Sequence, residues 1–344
     1  MAAAHLQPVR DRSAWTGEAL GRTDEWIYRL TARDLEEVER AVGHARATGK
    51  PLTQLERQDF PLGRLDDGLA RIAEEVDEGR GFHLIRGFPA ERYSEADAAI
   101  ALWGIAARFG RVISQNGYGD LLGHVRDQGR KLGEKDVRGY DSTAELRFHN
   151  DECDIIALMC LRTAKQGGLS SVVSSTEMFN RLLETRPAVL AKLFEGYIFS
   201  LMGEQRPGVG PVSDHRIPIY SRHAGRLSCR YTINTVLQAS QYGVDLTEEE
   251  RAILFAPLEA ARAPGMALTF ALEPGDIQLN NNLSTLHQRT TYEDWEEPQR
   301  KRHLLRIWLA SHHGRPLAAE FEQRFNDGWS FRRGIPATKV REPA

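Results

Sequence analysis

Two histidines and one aspartate stand out, because together they can grip a divalent metal ion. In the stretch Phe148-His149-Asn150-Asp151-Glu152, an extended backbone places His149 and Asp151 on one face and turns Asn150 away, since strand side chains alternate with a period of two. An imidazole nitrogen beside a carboxylate oxygen occupies two coordination positions of one ion. A lone His-X-Asp carries little weight. A second element adds to it: Gly275 to Asn282 reads as a strand turning into an Asn-rich segment, and Leu283 to Leu286 then leads to His287. Two histidines and a carboxylate leave three adjacent positions for a bidentate co-substrate and dioxygen. The β-prone run Lys301 to Leu309 carries Arg302 and Arg306, which share a strand face about 13 Å apart. Guanidinium forks suit a dicarboxylic acid, although an exposed basic edge strand would carry the same residues.

The elements that must position these residues follow from periodicity and capping. The first ~95 residues read mainly as helix. Thr31 and Asp34 form a capping box ahead of Leu35, Val38 and Val42, and Leu65 to Val76 repeats the helical period. Gly81 to Gly87 is a glycine-bounded apolar strand, and Ser94 caps a helix running to Phe109. Arg111 to Ser114 is a further short strand. Beyond Leu146 strand-like runs dominate: Asp154–Leu161, Ser170–Ser175, Tyr197–Leu201, Arg216–Tyr220, Leu227–Tyr231, Met266–Ala271, Asp276–Leu279 and His303–Ala310. Helices interrupt them at Thr176 to Glu195, broken near Pro187, and from the Thr247 to Glu250 capping box to Arg262. Such an order predicts an α+β, mainly β fold with a jelly-roll sandwich core and flanking helices. The segment Gln115 to Thr143 reads as one long loop, and loops of that length tend to be lids or binding loops. The tail from Gly314 reads as a surface extension.

Composition narrows the partner. Lys plus Arg number 45 against 48 Asp plus Glu, a net charge of -3 that offers no field for nucleic acid or an anionic membrane. No apolar stretch approaches the ~20 residues of a membrane span, and the start resembles no signal peptide. A cytoplasmic protein acting on a small molecule is expected, and nothing opposes a homo-oligomer. Cys153, Cys160 and Cys229 match no zinc or redox spacing and read as small buried hydrophobes.

The three elements, in this order and spacing, resemble the taurine dioxygenase family of Fe(II)/2-oxoglutarate oxygenases, which includes clavaminate synthase-like hydroxylases. The resemblance covers about Arg80 to Ala310. It implies a double-stranded β-helix (cupin-like jelly roll), taken to span 81–344; residues 1–80 lie outside the resemblance and read, from their helical period, as a helical extension packed on it. It implies that His149, Asp151 and His287 are the catalytic metal ligands for Fe(II), with 2-oxoglutarate and O2 as co-substrates. Arg302, fifteen residues beyond His287, matches the arginine that pairs with the far carboxylate of 2-oxoglutarate. Arg306 matches an arginine contacting substrate or the near carboxylate. Gly167-Gly168-Leu169-Ser170 resembles a Gly-Gly-acidic-Thr stretch whose hydroxyl supports the co-substrate: Ser170 can make the same hydrogen bond, while Leu169 departs from the pattern. Asn282 matches a turn-orienting position. Relatives that halogenate lack the carboxylate, so Asp151 implies hydroxylation, with release of succinate and carbon dioxide.

Other readings stand beside this one. Two histidines and an aspartate also suit a zinc-type hydrolase, and a non-catalytic protein that senses 2-oxoglutarate or a metabolite would keep the same pocket. Gln115 and Asn116 are expected substrate contacts, although Asn116-Gly117 is also strong turn chemistry. His124 could touch substrate from the long loop, and Trp295, Trp308 and Trp329 could wall the pocket. Arg222, Arg226 and Arg230 cannot be assigned inward or outward. The substrate is expected to be small and polar, with Arg306 pointing to an anionic or amino-acid-like molecule.

Overall fold

The computed structural model describes residues 5–127, 129, 142–325 and 328–340. Its larger sheet runs β1 (Ile27–Arg29), β2 (Phe82–Arg86), β12 (Ile277–Asn281), β6 (Ile155–Arg162), β15 (His303–Ser311), β3 (Gly110–Ile113), and β4 (Leu122–Val125) pairs with the other half of β15. All these pairs are antiparallel except β1 with β2. The smaller sheet runs β11 (Leu268–Phe270), β8 (Ser170–Ser174), β13 (Thr285–Arg289), β5 (Leu146–His149). Two short ladders accompany them: β9 (Tyr220–His223) with β10 (Arg226–Cys229), and β7 (Gln166–Gly167) with β14 (Tyr292–Glu293).

Alternation along each strand sorts side chains into layers. On β15, Leu305, Ile307 and Leu309 enter a core shared with α1 (Ala32–Ala47), α2 (Arg64–Asp77) and α3 (Glu95–Ala106), whose Val38, Val42, Leu69, Ile72, Leu102 and Ile105 meet them. The opposite faces of the two sheets meet in a second core of Phe82, Leu84, Cys160, Val172, Leu268 and Leu304. Behind the smaller sheet, Phe148, Val173 and Leu286 pack on α4 (Ser175–Thr185), α5 (Pro187–Glu195) and α6 (Glu248–Ala261). The order is therefore helices, sheet, sheet, helices. Arg302, just before β15, and Arg306, on it, share the parity of Leu304, so both arginines belong to the space between the sheets.

The expected capping boxes at Thr31 and Thr247 form, and the helix after β8 breaks at Pro187, which takes the first helical position of α5. Ser174 ends β8 and caps α4 through the Glu177 amide, which is why the strand stops there. Three expectations change. The long segment from Gln115 holds a strand, β4, whose Gly123 leaves room for the Gln115 amide against it, since a Cβ would lie 2.4 Å from Gln115 Oε1; residues 128 and 130–141 lie outside the described ones. Of the expected strands Tyr197–Leu201 and Arg216–Tyr220, the residues before Tyr220 make only isolated bridges, Tyr197 with Ile217 and Ser200 with Val212, because prolines 211 and 218 bring no N–H to a ladder, while Tyr220 opens β9. The tail is not a surface extension: Phe321, Phe331 and Ile335 are buried, and Arg332 pairs with buried Asp154.

The first 80 residues do more than lie on top. β1 extends the larger sheet, α1 and α2 share its core, and Trp15 donates to the Arg80 carbonyl. No helix among the described residues is long and apolar enough to cross a membrane.

β2 also carries a buried histidine with an energetic consequence. His83, opposite Leu279, is 6% exposed, and neither ring nitrogen has a partner among the described residues. Burial, reinforced by Arg80, lowers its pKa from 6.5 to about 4. The unfolded chain takes up a proton as pH falls through 6.5 and the native ring does not until about 4, so stability is lost across that interval as pH falls. The loss amounts to about 2 kcal/mol between pH 7 and pH 5. In urea unfolding, His83→Leu should lose less stability than the parent over that interval by about this amount; equal losses would show that His83 does not titrate between the two states.

Candidate metal and co-substrate centre

The smaller sheet builds the cluster by register. β13 and β5 set His287 directly opposite His149, and their rings lie 4.4 Å apart between centroids. Asp151 follows β5 after one residue. One donor atom each from His149, Asp151 and His287 lies within 4.8 Å of the others. The His149 ring lies with Nδ1 2.7 Å from the Arg147 carbonyl, which selects the tautomer whose Nε2 carries a lone pair. That Nε2 lies 3.9 Å from Asp151 Oδ1.

The two oxygens of Asp151 have different surroundings. Oδ2 accepts from Trp308 Nε1 at 3.0 Å and lies 3.6 Å from Arg306 Nη1, whereas Oδ1 faces His149. Burial opposes ionisation of this carboxyl, but the Arg306 guanidinium above all, with the Trp308 hydrogen bond, outweighs it and holds the pKa below the usual range. Burial, together with His149 and Arg306, lowers His287 to about 3 despite Asp151. An ionised Asp151 carboxylate and a neutral His287 imidazole are ready to bind a divalent ion, and two nitrogens with one oxygen suit iron or zinc. The donor set fits a resident metal.

The asparagine between the ligands is the anchor. Asn150 is buried; its Nδ2 donates to the carbonyls of Asn282 and Thr285, and its Oδ1 accepts from the Tyr231 amide. Asn282 Oδ1 accepts in turn from the Asp151 amide at 3.1 Å. The His149 to Asp151 segment is thereby stitched to the turn that leads into His287, as expected of Asn282.

A cationic pocket lies on the same side. Arg302 is 5% exposed, its Nη1 has no partner, and it makes no ion pair among the described residues. Gly168 gives it room: its φ of +68° suits glycine, and a Cβ there would lie 3.4 Å from Arg302 Nε. Tyr292 stands against the guanidinium, with its ring centre 5.3 Å from the Arg302 Cζ. Arg289, two residues after His287 on the same face, adds a second cation. It donates through Nη2 to the carbonyls of Ser142 and Ala144 and leaves Nε and Nη1 unpartnered. Burial and then Arg302 lower its pKa to about 10. Ser170 sits opposite Arg289 in register and is also buried. Among the described residues neither guanidinium is in an ion pair, although the Asp294 carboxylate acts on Arg302 and the Asp127 carboxylate on Arg289 from farther off; buried guanidiniums of this kind are stabilised when an anion joins them, so this pocket fits a carboxylate co-substrate. Leu169, which stands where the family pattern has an acid, is 38% exposed and holds Thr290 Oγ1 only through its backbone amide.

The remaining expected residues fall elsewhere. Gln115 is fully buried; it accepts from Arg306 Nε at 2.7 Å and donates to the Arg306 and Leu121 carbonyls. It therefore holds Arg306 and presents no free group to a substrate. Asn116 is spent on a turn, accepting from the amides of Tyr118 and Asp120 and donating to the Asp120 carboxylate. His124 lies on the helix-facing side of β4, opposite Leu305. Trp308 is the tryptophan that reaches the cluster; Trp295 stacks under Arg300, and Trp329 under Arg206 and Arg333. Arg230 is buried against Glu152 and the Phe321 carbonyl, while Arg222 and Arg226 reach the Gln7 carbonyl and Glu78. The importance of Asn150 and Arg289 is not evident from residue type alone, although strand parity from His287 puts Arg289 beside it.

Two packed sheets with a three-donor cluster and an anion pocket between them define a centre for one metal ion and an acidic co-substrate. Residues 48–308 match the family described as "Taurine catabolism dioxygenase TauD, TfdA family", and the chain belongs to that family. It is an oxidoreductase of the dioxygenase type, which sets aside the hydrolase and the non-catalytic sensor. The match begins at residue 48, well before Arg80, in keeping with the shared core. The chain is 33% identical over 314 residues to the FR-33289 synthase of Streptomyces rubellomurinus, covering 90% of this chain and 92% of that protein. It is 30% identical over 316 residues to the taurine hydroxylase-like protein SAT17 of Stachybotrys chartarum, covering 87% and 79%. Among solved structures, asparagine oxygenase with Fe(II), 3-hydroxyasparagine and succinate superposes with a TM-score of 0.65 at 18% identity, covering 83% of this chain and 94% of that one. The non-heme iron oxygenase OrfP with iron, succinate and (3S)-hydroxy-L-arginine does so at 0.60 and 14%, covering 85% and 99%.

Proposed function

We propose that this chain is an Fe(II)/2-oxoglutarate-dependent dioxygenase that hydroxylates a C–H bond of a small polar substrate, anionic or amino-acid-like, and releases succinate and carbon dioxide. The carrying observation is the buried Arg302 guanidinium, whose Nη1 has no partner and which makes no ion pair among the described residues, on the same side as the His149, Asp151 and His287 cluster. The fold is read as a double-stranded β-helix over 81–344, built from the two sheets, with residues 1–80 as its cover. His149 Nε2, Asp151 Oδ1 and His287 hold the iron, which when bound supplies the redox chemistry with dioxygen. Arg302 takes the far carboxylate of 2-oxoglutarate, with Ser170 beside it. Trp308 and Arg306 fix Asp151 Oδ2, so that the carboxylate offers one oxygen and keeps neighbouring positions open.

Arg306, held by Gln115, lies 3.6 Å from Asp151 Oδ2 and favours a substrate bearing a carboxylate, sulfonate or similar group. The hydroxylated amino acids in the asparagine oxygenase and OrfP structures support the amino-acid-like reading. Three free buried cysteines suit a reducing cytoplasm.

Anaerobic addition of Fe(II) and 2-oxoglutarate should give a visible metal-to-ligand charge-transfer band. Amino acids and small organic acids can then be screened for stimulation of Fe(II)- and oxygen-dependent succinate release. Absence of both band and succinate would sink the reading.

A further inference from the structure

A second group of metal-ligating side chains lies outside the centre just described. Glu95 is the first residue of α3, His124 lies on β4 and His303 opens β15. His124 Nδ1 is 2.9 Å from His303 Nε2 and 3.6 Å from Glu95 Oε1, and His303 Nδ1 is 3.5 Å from Glu95 Oε2. We infer that Glu95, His124 and His303 form a second divalent-metal site, for a borderline ion such as Zn2+, on the helix-covered side of the larger sheet.

Three elements distant in sequence converge here, and one donor atom from each lies within 4.8 Å of the others. Two imidazoles and one carboxylate are a donor set for zinc-like ions, with water completing the shell. Access is open from one side: the Glu95 and His124 side chains are 48% and 39% exposed, whereas His303 is fully buried. Burial, reinforced by His124 and neighbouring arginines, lowers His303 to about 3, and burial also lowers His124. Both rings are therefore neutral at pH 7 and able to ligate. The site is separate from the inter-sheet centre, because His303 has the opposite strand parity to Arg302.

Arg162 competes with the metal. Its Nη2 lies 3.1 Å from His303 Nδ1, and its Nε donates to the Lys301 carbonyl. While Arg162 donates to Nδ1, His303 must carry its proton on Nε2, pointed at His124. A metal on Nε2 requires the other tautomer, with the Nδ1 proton turned to Glu95 and Arg162 resting on Lys301 alone. Removing the Arg162 donor should therefore tighten metal binding, a sign that a purely hydrogen-bonded network would not give.

Equilibrium dialysis of the chelator-treated full chain against Zn2+ tests this. The parent should take up a second equivalent, His124→Ala should lose one, and His149→Ala should lose the other. Arg162→Gln should lower the dissociation constant of the step that His124→Ala removes. His124 is half-exposed, so its replacement leaves the core intact, and circular dichroism confirms the fold. Uptake of one equivalent by the parent, or no loss in His124→Ala, overturns the assignment. So does an unchanged or weaker second step in Arg162→Gln.

Discussion

His287→Ala is expected to abolish both the anaerobic Fe(II)/2-oxoglutarate absorption band and succinate release, with turnover falling by on the order of 10³ or more, about 4 kcal/mol of lost transition-state stabilisation. The reason is the opposition of β13 and β5: His287 supplies a neutral nitrogen facing His149 that no neighbour can replace, since Val172 and Leu286 beside it offer no donor atom. The apo-protein should keep its fold, because His287 Nδ1 has no hydrogen-bond partner to strand. Near-ultraviolet circular dichroism of the variant checks this. A band of undiminished amplitude in His287→Ala would place the metal elsewhere in the molecule.

The sequence made the ligands legible because each sits where a simple period applies. His149 and Asp151 are two apart, and Arg302 and Arg306 are four apart, one just before β15 and one on it, so parity alone puts each pair on one face. The capped helices and the break at Pro187 were likewise readable, being local hydrogen-bonding and steric effects. What parity cannot supply is which strands adjoin. β1 is three residues long and pairs in parallel with a strand more than fifty residues away, so its role leaves no local pattern. β4 has the same difficulty: Leu122-Gly123-His124-Val125 is short, glycine-containing and follows a turn, yet the β15 edge completes it.

The fates of polar residues are hard to read for a related reason. Gln115 and Asn116 are chemically alike and adjacent, but one is buried against Arg306 and the other closes a turn. Asn150 points away from the metal ligands, as alternation requires, and that direction leads into the carbonyls of the β12 to β13 turn. An amide with two donors and an acceptor can satisfy all of these at once, which neither ligand could. Nothing in the residue type distinguishes these fates; the distinction lies in which backbone groups the fold leaves without a partner.

Arg302→Met is expected to weaken 2-oxoglutarate by about 30-fold to 5,000-fold, the equivalent of 2–5 kcal/mol for removing one partner of a buried charged pair. Fe(II) affinity alone should not change, since Arg302 touches none of the three ligands. At saturating 2-oxoglutarate most of kcat should return, because the clamp holds ground state and transition state alike. Arg289 moderates the loss, for its unpartnered nitrogens keep positive charge near the pocket. Arg302→Lys should fall between the two, retaining charge without the planar fork. The effect on the apo-protein has the opposite sign. Arg302 is buried with a bare nitrogen, and its burial outweighs the favourable influence of Tyr292, Cys160 and Asp294 and depresses its pKa, so replacing it with a thioether removes a charge that the apo-protein only partly compensates and should raise its Tm or leave it unchanged. A side chain placed for packing would give the reverse, a lower Tm with an unaltered 2-oxoglutarate dependence. Titrations of the charge-transfer band with 2-oxoglutarate, paired with melting curves of the apo-proteins, separate the two outcomes.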